Sequence, residues 1–370
     1  MDNISELKRI LGQGLAWHKS RVDCFSKMLL ALFTVSTVNL KKMALAMAGK
    51  AQANSHYRRL QRFFSQFEMS FDQVARWIFA LFFSSTDKIY LCLDRTNWFW
   101  GKSPINILML SIAYEGIAIP ILWCVLPKDG TSNTDERINL MSRFVALFGT
   151  TCIAGLLADR EFIGKRWFAW LNQKRIAFYI RIKDNTQLKF NRRTWQTAKQ
   201  LFHQLKPREQ YCLPMSVYLM GQKCFITGAK SHTGELMVIA SNQPHKEAAA
   251  VYLRRWEIEC LFKSLKSHGF QFEDTHLTHP QRIEKLLVLL AIGFCWAHKI
   301  GEWKAQSQPI KMRQYQDKSK RPVLTFFRYG LNTIQQTLFN LQTKLNEFQL
   351  EFKRFLDLIR PAFEQVRGAL

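Results

Sequence analysis

Between Tyr252 and Lys266 a carboxylate, Glu259, stands among a phenol and several cations. At about 100° per residue, Tyr252, Arg255, Glu259 and Lys266 fall within roughly 60° of one another on a helix, with Lys263 beside them. Val251, Ile258, Leu261 and Leu265 point the opposite way and give that helix a core face. A carboxylate among cations suits a hard metal ion, and the cations suit phosphate. A solvated helix laced with i,i+3 and i,i+4 ion pairs would use the same residues, so the choice depends on what lies upstream. There, Asp94 follows the apolar run Ile89 to Leu93, and Asp159 follows Cys152 to Ala158. Such short apolar runs read as buried strands, and ligand sites in open α/β sheets gather at strand ends. An aspartate in that place also serves as a turn or cap residue. Asp94, Asp159 and Glu259 carry weight as a set.

The elements that must position them follow in order. Ile89 to Leu93, Asn106 to Tyr114 and Ile117 to Leu126 read as three strands, the last two joined as a hairpin at Glu115-Gly116. Thr134 to Phe148 is an amphipathic helix with Asp135 and Glu136 near its start, where the dipole favours anions. Cys152 to Ala158 is a fourth strand, Gly164 to Lys174 a helix and Ile176 to Ile182 a fifth strand. Three strands, helix, strand, helix, strand describes a mixed α/β sheet with helices on its faces. If the first and fourth strands are neighbours, Asp94 and Asp159 come to one edge of a site.

The rest of the chain is basic. The net charge is +25, from 53 Lys and Arg against 28 Asp and Glu, which points to a polyanionic partner, nucleic acid before membrane. Residues 1–85 look helical. A helix running from a Thr37 cap to Ala48, a turn at Gly49 and a basic helix from an Asn54 cap to Phe64 suggest a helix-turn-helix-like DNA reader, with Arg58, Arg59 and Arg62 as its candidate contacts. Phe67 to Phe83 adds one more apolar helix. Residues 184–245 read as a β-rich insertion with strands at Ser216 to Leu219, Lys223 to Ala229 and Leu236 to Ala240. Its early part carries Lys189, Arg192, Arg193 and Trp195, the last able to stack on an unpaired base or to sit buried. Helical patterns return at Pro280 to Ile300, Val323 to Gln342 and Glu347 to Ile359, with a polar, basic loop at Gln306 to Arg321 that includes Lys318.

The eight cysteines show no CxxC spacing and read as reduced core thiols in a cytosolic protein. The N-terminus lacks the layout of a signal peptide. The longest apolar stretch is broken by Glu115-Gly116 and Pro120 and reads as strands, so a soluble protein with no membrane partner is expected.

The Tyr-x2-Arg-x3-Glu-x6-Lys pattern of Tyr252, Arg255, Glu259 and Lys266 resembles the YREK signature of bacterial DDE transposases in the insertion-sequence-four family. Leu93-Asp94-Arg95-Thr96-Asn97-Trp98 and Ala158-Asp159-Arg160-Glu161-Phe162 resemble that family's two aspartate motifs, in the same order. The resemblance implies an RNase H-like catalytic domain in two parts, residues 86–183 and 246–300. The β-rich insertion of 184–245 would separate them, with a helical DNA-binding domain at 1–85 and a helical region at 301–370. It implies Asp94, Asp159 and Glu259 as ligands of Mg²⁺, which Mn²⁺ can replace, and Tyr252, Arg255, Lys263 and Lys266 as DNA contacts. It further implies cleavage and strand transfer at terminal inverted repeats of double-stranded DNA by a synapsed homodimer, in the bacterial cytoplasm at the nucleoid. A transposase-derived DNA-binding regulator without catalysis, or a nuclease indifferent to the repeats, would use the same scaffold.

Overall fold

The computed structural model describes residues 7–9, 11, 12, 15, 17–191, 194–314 and 320–339. Two compact units emerge, one of Ser85–Asn97 and Asn106–Leu261, the other of Met1–Ser84, Trp98–Ile105 and Phe262–Leu370.

The first unit is built on a large mixed sheet. Strands β1 (Ile89–Trp100), β2 (Ser103–Tyr114), β3 (Ile117–Leu126), β4 (Ile153–Ala158) and β5 (Phe178–Ile182) take the order β3-β2-β1-β4-β5. β1 and β4 run parallel, as do β4 and β5, while β2 and β3 are antiparallel. The β2–β3 turn has Glu115 at φ +47° and Gly116 at φ +87°, the left-handed pair whose twist suits a two-residue hairpin. Nearly every residue of β2 and β3 is buried, as a sheet covered on both faces requires. Helices α5 (Thr134–Phe148) and α6 (Lys165–Gln173) make the crossovers. Asn133 and Glu136 close a capping box at the start of α5, so two orphan amides are satisfied locally. The mixed α/β class with helical flanks is thus the observed one. β1, however, continues past Asp94 to Trp100, because β2 runs on beside it and returns at Gly101. Asp94 therefore sits within a strand, not after one.

Residues 187–241 are β-rich as expected, and their strands extend the sheet. β11 (Leu236–Ser241) pairs antiparallel with β5, Val238 opposite Ile182, and β10 (Gln222–Lys230) follows. β9 (Val217–Leu219), β6 (Gln187–Lys189) and β7 (Trp195–Thr197) continue beyond, with β8 (Gln210–Cys212) on β10. The pairing consumes the open edge that β5 would otherwise present. Helix α7 (Ala198–Leu201) lies in this stretch, and α8 (Ala248–Leu253) and the first turns of α9 (Trp256–Leu265) complete the unit. Arg192 and Arg193 lie outside the described residues.

The second unit packs α1 (Lys19–Val35), α2 (Leu40–Ala46), α3 (Ala53–Gln66), α4 (Phe71–Phe82), α10 (Pro280–Ser307) and α11 (Phe326–Phe339) around Phe25, Phe33, Phe63, Phe64, Trp77 and Phe270. The helix–turn–helix pair is present as α2 and α3, with different caps. Asn39, not Thr37, accepts the amides of Lys41 and Lys42; the Thr37 hydroxyl accepts the Asn39 amide at 3.2 Å and donates to Asp274 at 3.0 Å. Asn54 falls inside α3, whose leading residue Gln52 makes no side-chain cap. Met312–Gln314 and Lys320–Pro322 pair as antiparallel strands within a stretch expected to be a loop. Lys318 and the expected helix at Glu347 to Ile359 lie outside the described residues. Among the described residues no single helix is long and apolar enough to cross a membrane.

Helices α10 and α11 meet backbone to backbone. A Cβ on Gly330 would lie 1.8 Å from the Ala297 carbonyl oxygen, and one on Gly301 1.8 Å from that of Phe326. Nothing flexible stands there to give way, so Gly330→Ala forces the helices apart and should cost about 3 kcal/mol, read from the urea midpoint. One residue from Gly301, Glu302 receives His298 Nε2 at 3.2 Å and Lys299 Nζ at 2.8 Å. Burial pushes the Glu302 carboxyl up, but those partners overcome it and hold it at about 2. A folded value below the usual 4.5 stabilises above pH 4.5, a contribution lost as pH falls towards 2. Glu302→Gln should therefore lose on the order of 3 kcal/mol at pH 7 and much less at pH 3, measured by urea unfolding at both.

Candidate active site

The two aspartates are set by strand register. In the parallel pair β1–β4, Leu93 lies opposite Ala158, and Asp94 and Asp159 are the next residue on each strand. Asp94 Oδ1 accepts the Arg95 amide at 2.8 Å. Asp159 caps the single 3-10 turn Arg160–Phe162, its Oδ1 accepting the Arg160 amide at 2.7 Å.

Glu259 arrives on α9. The sequence suggests one continuous helix through Tyr252 and Lys266, whereas the structure breaks it at Arg254 and Arg255, between α8 and α9. There the bonds shorten to i,i+3: Arg255 N to Tyr252 O at 2.9 Å and Ile258 N to Arg255 O at 3.2 Å. Such a tightened turn inside a helix commonly marks a functional position. It lets two successive arginines serve separate partners. Arg254 reaches the Ala113 carbonyl and Glu257, at 3.1 and 3.3 Å, and lies over the Tyr90 ring.

Arg255 turns to the carboxylates. Its Nη1 donates to Asp94 Oδ2 at 3.0 Å, its Nη2 to Glu259 Oε1 at 2.5 Å and its Nε to the Tyr252 hydroxyl at 3.1 Å. The Tyr252 hydroxyl donates in turn to Asp159 Oδ1, at 3.4 Å. One guanidinium and one phenol thus tie together all three carboxylates. Burial pushes the Asp94 carboxyl up to about 6 against the pull of Arg255. Burial also lifts the Tyr252 phenol to about 12, so it stays a donor at neutral pH. Arg255 is buried too, yet Tyr252, Glu259 and Asp94 more than offset that and hold its proton on.

A second arginine pair braces the aspartate motifs, and its members carry no role in the sequence reading. Arg95 grips Glu161 with Nε at 3.1 Å and Nη2 at 2.8 Å, while its Nη1 donates to Asn106 and to the Gly130 carbonyl. Arg137, buried, donates to Ser132 and to the Glu161 carbonyl. The residue after Asp94 is thereby locked to the second residue after Asp159. The repeated Asp-Arg start of both motifs was the available signal, but only register shows that the two motifs face each other.

Of the other candidates, Lys263 is exposed on α9. Lys266 follows that helix and pairs with Glu273 at 2.7 Å, its ammonium over the Trp98 ring. Arg58 and Arg62 are exposed on α3, whereas Arg59 is engaged by Asp23 at 2.8 Å and by the Ser20 carbonyl. Trp195 is exposed, with Lys189 Nζ 5.4 Å from its ring centre.

Three carboxylates offer the oxygen donors that Mg²⁺ prefers, and the half-buried Asp94, its carboxyl pushed up by desolvation, gains most from a nearby cation. Among the described residues no three His, Cys, Asp or Glu stand in a metal-holding group as arranged; Arg255 takes one oxygen from each of Asp94 and Glu259.

A family model described as Transposase DDE domain matches residues 87–296, more than half of the chain. No curated protein matches.

Removing Arg255 leaves two carboxylates facing each other around an uncompensated buried charge. Arg255→Met should cost about 3 kcal/mol, and adding Glu259→Gln should restore part of it, a non-additivity that a double-mutant cycle in urea would measure.

Proposed function

This chain belongs to the transposase DDE-domain family, and from that premise we propose that it is the transposase of a bacterial insertion sequence, of the insertion-sequence-four, YREK-bearing group. It binds the terminal inverted repeats of its element as double-stranded DNA, cuts there and joins the ends to a target, working as a synapsed homodimer in the cytoplasm at the nucleoid. The observation that carries this reading is the linkage of Asp94, Asp159 and Glu259 through Arg255 and Tyr252.

Asp94, Asp159 and Glu259 hold divalent cations, Mg²⁺ with Mn²⁺ as its substitute, whose chemistry is to activate water or a DNA 3′-hydroxyl and to stabilise the leaving oxygen. The protein's own part is placement. The β1–β4 register and the Arg95–Glu161 brace fix the two aspartates, and the turn at Arg254-Arg255 presents Glu259 to them. Arg255 carries a fixed planar charge that suits a phosphate as well as a carboxylate. It therefore grips the scissile strand while holding Asp94 and Glu259 together. Tyr252 holds its proton and orients Asp159. Lys263 and Lys266 add phosphate contacts further along the strand.

Purified protein incubated with Mg²⁺ or Mn²⁺ and DNA bearing the inverted repeats that flank its gene should cut at the repeat boundary. Glu259→Gln and Asp94→Asn should lower cleavage at least about 10³-fold while duplex binding stays within a few-fold of wild type. Binding without cutting in either metal would favour a catalytically silent regulator. Cutting that ignores the repeats would favour a general nuclease.

A further inference from the structure

We propose that the cavity between α2, α3 and the segment entering α10 is a phosphodiester pocket, which seats one backbone phosphate of duplex DNA. The inference rests on the reading that the chain acts on DNA, and it assigns that partner a site separate from the carboxylates. The cavity holds about 300 Å³ within the helical unit. One wall is a stripe of α3, Tyr57, Gln61 and Ser65, spaced i, i+4 and i+8 so that all three face one way. Lys41 at the start of α2, His276 and Arg282 add charge and a ring, and Asn39, Leu40 and Leu277 complete the lining.

Three observations point to an anion. First, no carboxylate lines the cavity. Second, its donors are unspent: among the described residues no hydrogen bond or ion pair takes up the Lys41 ammonium, the Arg282 guanidinium, the Tyr57 hydroxyl or the Gln61 amide. Third, two of the segments that carry the lining are tied in place. The Thr37 hydroxyl donates to Asp274, which ties the strap before α2 to the strap before His276. The His276 ring stacks on Trp100, with ring centres 4.3 Å apart. Two exposed cations with hydroxyl and amide donors around one surface cleft match the several oxygens of a phosphate, whereas a lone lysine meets it only as a point charge. The source is duplex DNA because Arg58 and Arg62, each one residue on from Tyr57 and Gln61, stand exposed beside the pocket on the same helix. They continue the cationic line along which further phosphates run. Phosphate contacts of this kind set register and carry no sequence information.

The test uses the full chain and a fluorescein-labelled duplex carrying the flanking repeats, followed by anisotropy between 50 and 200 mM salt. Lys41→Gln/Arg282→Gln should weaken binding about tenfold and make the log–log salt slope shallower by about 1, the value for one phosphate. Tyr57→Phe, which removes a single hydroxyl and should leave the fold intact, should weaken binding a few-fold at an unchanged slope. Lys174→Gln, an exposed lysine in the sheet unit, is the control and should alter neither. Wild-type affinity in both pocket variants, or an equal slope change in Lys174→Gln, would overturn the pocket while leaving the DNA reading in place. Failure of the wild-type protein to bind the duplex at all would remove the DNA reading and the pocket with it.

Discussion

A single buried guanidinium holds the centre of the α/β unit together. Three carboxylates brought close in a desolvated place repel one another, and one answer is to protonate some of them. Arg255 supplies the other answer, a permanent charge with five donors in a planar fork, of which three are spent on Asp94, Glu259 and the Tyr252 hydroxyl. Lysine could not replace it, because an ammonium cannot hold two carboxylates and a phenol in one plane. The break between α8 and α9 follows from the same demand: a regular helix would not send Arg254 to the sheet and Arg255 to the carboxylates from adjacent positions.

The sheet makes that arrangement possible. Parallel pairing of β1 with β4 fixes the height of Asp94 against Asp159 to within a residue, and the Arg95–Glu161 grip fixes their lateral spacing. Slippage by one residue would turn each aspartate to the opposite face of the sheet. The site's accuracy is thus inherited from backbone hydrogen bonds. Its charge balance is inherited from side chains 93 residues or more further on in the chain.

Much of this was legible in the residues. The apolar runs, the Glu115-Gly116 hairpin and the α5 boundaries are local signals, and each element appears within a few residues of its expected place. The motif spacing singled out Asp94, Asp159, Glu259, Arg255 and Tyr252, which the structure brings together. What the sequence could not carry was long-range. β1 runs on to Trp100 because β2 lies beside it, and the strands of 187–241 join the main sheet because β5 needs a partner. The Thr37 hydroxyl, expected only as a cap, also reaches Asp274, over two hundred residues away. Arg59 shares a basic helix with Arg58 and Arg62, yet its partner Asp23 comes from another element. Periodicity sees the face of a helix and is blind to what another element brings to it.

The order in which the chain is made gives the split core a temporal side. The aspartates are synthesised early and their arginine late: 161 residues separate Asp94 from Arg255 (255 − 94). At roughly 5–20 residues per second, that interval lasts about 8–32 s. Through it, a nascent chain carries Asp94, joined 65 residues on (159 − 94) by Asp159, without Arg255. A chain released before Leu261 would keep the strands but lose part of the helix that bears Glu259. The carboxylate cluster therefore assembles only once nearly the whole α/β unit has left the ribosome.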